Sequence, residues 1–287
     1  MNFDSFVNDI RRNSWNVYGA EVYEDGILTH SFGDTRDHLH DIYSATKTIL
    51  SIAAGIAVDE GRFDINRSVV SYLPENRMSV EQKEVFGQIS IQRLMTMSVG
   101  DLPFRPEGDS YLDYSLNTKI NHPSEKTFNY SNISAYLVSV ALTEALEMDL
   151  GLFIEKRVFD PLGIRKFEYR RCPEGYFYGA SGARLTVNDL SRLGLLLYNK
   201  GIFNGDRILS ERYVNEATSV QQMNREGGYG YFIWKYLDGF SINGKWGQKC
   251  YVLPERKLIV SFLSHIEDDT LPLRKSMEKN CFEISQC

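Results

Sequence analysis

Runs of apolar and aromatic residues, typical of strands, occur near both ends of the chain. Close to the start, two such runs flank Glu24-Asp25-Gly26, where Asp-Gly supplies the positive φ of a tight hairpin. Near the other end, three similar runs precede a segment with the pattern of a closing helix. The predicted strands are residues 17–23, 27–32, 229–237, 250–253 and 258–265, and the predicted closing helix is 271–282.

Between these ends the hydrophobic pattern takes a helical period. Residues 44–60 place apolar side chains around almost the full circumference of a helix, which predicts a buried helix. Further helices are predicted over residues 131–148 and 187–197. The last of these follows Thr186, and Asp189 lies three residues later in the spacing of a capping box.

This order of elements predicts a single domain of the α+β class over residues 1–287. Residues 1–43 and 222–287 are expected to form a sheet-containing lobe, with an antiparallel sheet built from both chain ends and flanking helices. Residues 44–221 are expected to form a mainly helical lobe. The cleft between the two lobes is the predicted active site.

Composition and charge exclude several classes of function. The 287 residues are 43% hydrophobic and 24% charged, with a formal net charge of -6. No basic block interleaved with aromatic residues occurs, so no nucleic-acid partner is expected. Residues 49–58, the longest apolar stretch, are too short to cross a bilayer, and residues 1–15 lack the apolar region of a secretory signal. A cytoplasmic protein without membrane attachment is therefore expected.

The cysteine spacing predicts neither a metal site nor a disulfide framework. The four cysteines lie too far apart for a small disulfide-stabilised fold and in no metal-ligand pattern. Reduced thiols are expected, and no metal or cofactor is predicted. The cysteines are Cys172, Cys250, Cys281 and Cys287.

The strongest candidate for chemistry is Ser44-Ala45-Thr46-Lys47, which opens the buried helix. Its spacing puts the Ser44 hydroxyl and the Lys47 amine on one helical face. A serine hydroxyl attacks only when a base takes its proton, and burial or a second cation lowers a lysine pKa toward that role. Ser276-Met277-Glu278-Lys279 has the same spacing, but its charged, amphipathic surroundings indicate a solvated helix face. Ser44 is therefore the predicted nucleophile.

Tyr130-Ser131-Asn132 stands at the start of the next long predicted helix. A phenol beside lysines can lose its proton more readily, so Tyr130 is a candidate base for the Ser44 proton and later an acid for the leaving group. The Asn132 amide can hold both Lys47 and a substrate carbonyl. The alternative is that Ser131 or Asn132 only caps the helix and that Tyr130 packs.

Lys245-Trp246-Gly247 lies just before a predicted strand. A lysine on an edge strand would place positive charge beside the cleft, lower the pKa of Tyr130 and Lys47, and attract a substrate carboxylate. Gly247 would let substrate approach the backbone closely. The alternative is a turn with an exposed lysine.

These three motifs stand in the order of the active-site motifs of serine beta-lactamases and penicillin-binding proteins, and the chain resembles that family. The Tyr-x-Asn form makes it similar to the branch of class C beta-lactamases, DD-carboxypeptidases and esterases. The resemblance implies the beta-lactamase/transpeptidase-like fold. Further similar stretches are residues 42–47, 58–64, 72–74, 161–164, 179–190, 247–248 and 252–254.

The resemblance implies an acyl-enzyme mechanism on a small-molecule acyl, peptide or beta-lactam-like substrate. Ser44 would attack the carbonyl with help from Lys47, Tyr130 and Lys245. Backbone N–H groups of Ser44 and Gln248 would hold the oxyanion. Asn132, Trp246, Gly247 and Gln248 would contact substrate.

One position departs from the family pattern and keeps other functions open. Trp246 replaces the hydroxyl residue usual in the third motif, which removes one hydrogen bond to a beta-lactam or peptide carboxylate. The main hypothesis is an esterase or amidase. The alternatives are a penicillin-binding sensor that acylates without turnover and an interaction scaffold that keeps only the fold.

Overall fold

The computed structural model describes residues 1–282. A single turn of 3₁₀ helix, Tyr43–Ala45, precedes the second α-helix, and a π-helical turn, Glu155–Phe159, precedes the eighth. The α-helices are α1 (Phe3–Arg12), α2 (Thr46–Asp59), α3 (Val80–Phe86), α4 (Ile91–Met95), α5 (Tyr111–Leu116), α6 (Asn132–Leu146), α7 (Leu150–Ile154), α8 (Asp160–Leu162), α9 (Val187–Tyr198), α10 (Glu211–Thr218) and α11 (Leu271–Cys281). The strands are β1 (Val17–Glu24), β2 (Ile27–Gly33), β3 (His40–Asp41), β4 (Arg184–Leu185), β5 (Ile202–Phe203), β6 (Asp206–Arg207), β7 (Trp234–Tyr236), β8 (Gly239–Gly244), β9 (Gln248–Leu253) and β10 (Leu258–Ser264).

Both ends of the chain build one six-stranded antiparallel sheet in the order β2-β1-β10-β9-β8-β7. The N-terminal hairpin joins the C-terminal strands because β1 pairs with β10 from Val17 opposite Ser264 to Glu24 opposite Leu258. Beyond β10, the strands β9, β8 and β7 follow as antiparallel neighbours. The predicted α+β architecture, with a sheet drawn from both termini, is confirmed.

The sheet separates two hydrophobic cores. Along β9, Cys250 and Val252 face a core shared with α9 and the helical middle of the chain. Tyr251 and Leu253 alternate to the opposite face, where α1 and α11 cover them with residues such as Phe6. Burial on both faces stabilises the central strands and fixes their register, since a slip of one residue would exchange the two sets of side chains.

The helix that was predicted to begin at Ser44 is buried nearly throughout, as its all-apolar pattern indicates. The α-helix itself begins at Thr46, after the 3₁₀ turn that contains Ser44. The two other long helices lie where they were predicted, as α6 and α9. Thr186 and Asp189 form the complete capping box at the start of α9, which confirms that prediction.

The strand predicted over residues 229–237 is wrong for most of its length. Only Trp234–Tyr236 pairs as β7, at the edge of the sheet. Upstream, the Tyr231 and Phe232 N–H groups donate to carbonyls of Ala217 in α10 and Met95 in α4. The aromatic residues that favour a strand instead bury a loop against these helices.

Two elements and the exposure of one side chain near the chain ends differ from the sequence prediction. Helix α1 was not predicted, although its buried residues Phe3, Phe6, Val7 and Ile10 follow a helical period. Strand β8 was also missed. Ser276 does not lie on a solvated face: it is 8% exposed and donates to Asp9 Oδ2 at 2.7 Å, which joins α11 to α1.

Two further expectations can be compared with the part of the chain that the structure describes. Within residues 1–282, no helix is both long and apolar enough to cross a membrane. Cys172, Cys250 and Cys281 are buried free thiols. Cys287 lies outside the described residues.

Candidate active site

The loop before α2 is held from two sides, which fixes the position of Ser44. The N–H of Ile42 donates to Ala183 O at 3.0 Å, and the N–H of Ala183 donates to Thr46 Oγ1 at 3.1 Å. Tyr43 has a φ of 47°, a left-handed conformation that costs a non-glycine residue on the order of 1 kcal/mol. Ser44 is half-buried at this bend, at the N-terminal end of α2.

Lys47 is fully buried one helical turn after Ser44. Its Nζ lies 3.1 Å from Ser44 Oγ, 2.7 Å from Asn132 Oδ1 and 2.7 Å from Ala180 O. An ammonium donates to all three oxygens. A neutral amine has two N–H groups and one lone pair, so it can donate to Asn132 and Ala180 and accept the Ser44 hydroxyl.

Burial lowers the pKa of Lys47 from 10.5 to about 7. The neutral amine is therefore well populated near pH 7, when an exposed lysine would be almost entirely protonated. Burial alone produces this shift, whereas the sequence suggested that a second cation would contribute. The Lys47 amine can consequently act as a proton acceptor at the Ser44 hydroxyl.

Ser131 and Asn132 have different roles: one caps the helix and the other contacts Lys47. Ser131 caps α6, since its Oγ accepts the Ile133 N–H at 3.1 Å and donates to Pro103 O at 2.6 Å. Asn132, the first residue of the helix, turns its amide oxygen to Lys47. The cap therefore positions the group that holds the lysine.

Tyr130 lies between Lys47 and an aromatic wall. Lys47 Nζ lies 5.0 Å from the centre of the Tyr130 ring, which stacks on Trp234 at 5.6 Å and meets Tyr229 edge-on. Burial raises the pKa of Tyr130 to about 12, although a hydrogen bond with Ser44 opposes the rise. The sequence-based expectation of a lowered phenol pKa is wrong because desolvation exceeds any effect of nearby cations. A phenol with this pKa stays protonated and is suited to donate a proton.

Lys245-Trp246-Gly247 forms the hairpin turn between β8 and β9, so the expected edge-strand position of Lys245 is wrong. Lys245 is exposed, and its amine lies 4.2 Å from the centre of the Trp246 ring. Throughout residues 1–282, the Lys245 side chain has no hydrogen bond or ion pair, including none to Ser44 or Tyr130. The structure therefore brings Ser44, Lys47, Tyr130 and Asn132 together and leaves Lys245 at the rim.

The turn nevertheless packs against the nucleophile loop. Trp246 meets the Tyr43 ring edge-on at 5.1 Å and His265 at 4.4 Å. At the end of β8, a Cβ on Gly244 would collide with the carbonyl oxygen of Ile42, so only glycine permits this approach. The third-motif turn and the end of β8 thus pack against Tyr43 and Ile42, the two residues that precede Ser44.

Gly247 and Gln248 both contact Ser264 and thereby fix the conformation of the turn. Gly247 has a φ of 87°, and a Cβ there would collide with Ser264 Oγ, so the close approach that it permits is to Ser264. The Gln248 side chain is buried and donates to Lys245 O at 2.9 Å and Ser264 O at 2.6 Å. The Gln248 amide group therefore fixes the turn, and only its backbone N–H remains a candidate oxyanion donor.

Two groups around Lys47 were not singled out from the sequence. The Ala180 carbonyl carries no signal in its residue type, because any residue at this bend could supply the oxygen. Trp234 was placed in a strand on composition alone, whereas it stacks on the Tyr130 ring. Both belong to segments distant in sequence from the three motifs.

The arrangement combines a hydroxyl, an amine whose neutral form is well populated near pH 7, and a protonated phenol. Proton transfer from Ser44 to Lys47 would create a nucleophile, and Tyr130 would supply a proton to a leaving group. The N-terminal end of α2 adds a positive dipole beside developing negative charge. These groups provide the nucleophile, the proton acceptor and the proton donor that attack on a carbonyl requires.

Comparisons with known proteins identify the family and the fold. A curated beta-lactamase of Providencia stuartii is 27% identical over 140 residues, which are 47% of this chain and 35% of that protein. The chain thus matches about a third of that relative's length. A penicillin-binding protein from Bacillus halodurans superposes with a TM-score of 0.76 at 15% identity, covering 95% of this chain and 99% of that one.

A beta-lactamase from Mycobacterium bovis superposes with a TM-score of 0.68 at 18% identity, covering 93% of each chain. At these identities the structural likeness shows the fold alone, which confirms the expected beta-lactamase/transpeptidase-like fold. The sequence model described as "Beta-lactamase" matches residues 20–275, most of the chain. The protein therefore belongs to the beta-lactamase family.

Proposed function

We propose that the protein is a serine hydrolase that forms an acyl-enzyme on Ser44 and cleaves ester or amide bonds of small acyl substrates. The observation that carries the proposal is the fully buried Lys47 amine at 3.1 Å from Ser44 Oγ. A scaffold would have no need for a buried lysine aimed at a hydroxyl, since burial of such a group is costly.

In acylation, the Ser44 hydroxyl proton passes to the Lys47 lone pair while Oγ bonds to the substrate carbonyl carbon. The resulting oxyanion is held by the backbone N–H groups of Ser44 and Gln248. The bond to the leaving alcohol or amine then breaks, and that group takes the proton of Tyr130. The proton on Lys47 then passes to the Tyr130 phenolate. In deacylation, water bonds to the acyl carbon as Lys47 takes one of its protons, the bond from the acyl carbon to Ser44 Oγ breaks, and Oγ takes that proton from Lys47, which releases the acid and restores the hydroxyl.

Substrate preference follows from the rim of the site. Trp246 covers the turn where a hydroxyl would meet a carboxylate, and its ring lies against the Lys245 amine. On the other side, Tyr130, Trp234 and Tyr229 form an aromatic wall. We propose neutral esters or amides with an apolar acyl group as better substrates than carboxylate-bearing beta-lactams.

Replacement of the nucleophile tests the proposal directly. We expect Ser44→Ala to lose at least about a thousandfold of p-nitrophenyl ester hydrolysis and all covalent labelling by a fluorophosphonate probe. Intact-mass spectrometry of the probe-treated protein measures the label, and with substrate it shows whether an acyl adduct decays.

The matched control is Ser276→Ala, which alters the other Ser-x-x-Lys and should keep activity and labelling. Equal labelling of Ser44→Ala and the unaltered protein would rule out Ser44 as the nucleophile. A substrate adduct that persists for hours would instead support the acylated sensor.

The pH dependence distinguishes Lys47 from Tyr130 as the base. Because Lys47 must be neutral to accept a proton and its pKa is about 7, kcat/KM should rise with pH and level off above an apparent pKa near 7. Tyr130→Phe should lower the rate but keep this inflection. A rate that rises continuously to pH 10 would contradict the assignment and indicate a base with a higher pKa, such as Tyr130.

The third motif offers a test of substrate choice. We expect Trp246→Ser to raise the rate of acylation by benzylpenicillin about tenfold, because a hydroxyl returns one hydrogen bond to the carboxylate. Serine is chosen because position 246 has a φ of 62°, which disfavours β-branched residues. Stopped-flow or mass spectrometry measures the rate.

The control is Trp246→Ala, which removes the ring without adding a hydroxyl. Both variants should respond alike to a neutral ester. If alanine increases penicillin acylation as much as serine does, relief of bulk rather than the carboxylate contact explains the effect.

A further inference from the structure

A second polar site lies on the face of the sheet that turns away from Ser44. Side chains alternate along β9, so Lys249 and Tyr251 face the layer of α1 and α11, opposite to Cys250. Lys249 directly follows Gln248, at the end of the strand that joins the third-motif turn. The site therefore lies behind the turn and outside the catalytic cleft.

Two adjoining cavities meet at the same three side chains. One, of about 110 Å³, lies between the sheet and the start of α11 and is lined by Lys249, Tyr251, Arg274 and residues 269–271. The other, of about 420 Å³, opens toward β7 and is lined by the same three side chains, by the carboxylates of Glu226 and Glu278, and by Trp234. A cation from the sheet and a cation from the helix face this shared space together with those carboxylates.

The neighbouring carboxylates leave the Lys249 charge without a partner. Glu278 accepts from Tyr236 at 2.5 Å and pairs with Arg274 at 3.4 Å, and Asp269 accepts the N–H of Leu271 at 2.8 Å. Glu226 is exposed and acts on Lys249 only at long range. Over residues 1–282, the Lys249 side chain has neither a hydrogen bond nor an ion pair, although its backbone pairs within the sheet. A largely buried ammonium in this state favours binding of an anion.

Tyr251 adds an unsatisfied hydrogen-bonding group. It is 1% exposed, and its hydroxyl has no hydrogen-bond partner among the residues that the structure describes. Buried hydroxyls are nearly always paired, so an unpaired one beside a cavity indicates a missing partner. A phenol can donate a hydrogen bond to an oxyanion, and an oxyanion would also be attracted by the positive charges of Lys249 and Arg274.

The first turn of α11 forms one wall of the smaller cavity. Its N-cap, Thr270, provides no side-chain cap. The Asp269 carboxylate accepts the Leu271 N–H and so already lies at the positive end of this helix, which leaves Lys249 as the cation without a partner. Burial, together with the charge of Arg274, lowers the pKa of Lys249 to about 8. The lysine is still mostly protonated at pH 7.

We propose that Lys249, Arg274 and Tyr251 bind a small oxyanion, namely a phosphate or carboxylate group. Lys249 supplies the charge that has no partner in the chain, Arg274 shares its guanidinium between the ligand and Glu278, and the Tyr251 hydroxyl donates a hydrogen bond. None of these three side chains contacts Ser44, so binding does not require the nucleophile.

Thermal unfolding of the full chain at pH 7 tests the site. Sodium phosphate should raise Tm in a saturable manner beyond sodium chloride of equal ionic strength. Lys249→Met and Arg274→Gln should each weaken the apparent affinity about tenfold or more, and Tyr251→Phe should weaken it less. A parallel titration with sodium acetate distinguishes the ligand group, since the oxyanion that saturates at lower concentration is the preferred one.

Lys275→Met removes the same charge from an exposed position of α11 and should keep full affinity, as should Ser44→Ala. Arg274 is exposed, so its replacement leaves a folded protein even if Lys249→Met does not. Broadening of the ³¹P signal of phosphate gives a second readout. The proposal is overturned if chloride produces the same shift, or if Arg274→Gln binds phosphate as tightly as Lys275→Met.

Discussion

The site depends on the burial of one amine among three oxygens. Lys47 is held by the 3₁₀ turn before α2, by α6 and by the loop that carries Ala180, and each of these supplies one contact to its Nζ. Removal from water lowers the pKa of the amine. Hydrogen bonds from the amine to Asn132 Oδ1 and Ala180 O fix the direction of its lone pair. The same burial that disfavours the ammonium thus orients the neutral amine toward Ser44.

This burial also has a cost in stability. The pKa of Lys47 is lower in the folded chain than the 10.5 of an exposed lysine. The folded state therefore binds fewer protons, so the cost is fully present below about pH 7 and declines as the pH rises toward 10. Left-handed backbone at Tyr43 and Trp246 adds strain on both sides of the site. The rings of these two residues pack together, so the strained nucleophile loop and the strained turn support each other.

Much of this arrangement was predictable from local patterns. The buried helix after Ser44, the capping box at Thr186 and the sheet from both chain ends follow from hydrophobic period and turn residues. The motif spacing identified Ser44, Lys47, Tyr130 and Asn132 as a set, and they are in contact. These features depend on short-range chemistry that residue types express.

The errors arise where long-range packing decides. Residues 229–233 have strand-like composition, but the N–H groups of Tyr231 and Phe232 bond to carbonyls in α10 and α4. The raised pKa of Tyr130 depends on Trp234 and Tyr229 covering its ring, which no motif encodes. Lys245 lies in a turn because Gly244 packs on Ile42 and Gly247 on Ser264. Contacts of this kind become visible only in the folded chain.

The charge state of Lys47 can be measured without any substrate. Proteins labelled with ¹³Cε-lysine, with Lys47→Arg for assignment, would be titrated from pH 5 to 11 by NMR. The account predicts one lysine with a midpoint near pH 7 that disappears in the variant. A Lys47 signal that keeps the shift of an ammonium above pH 9 would contradict it.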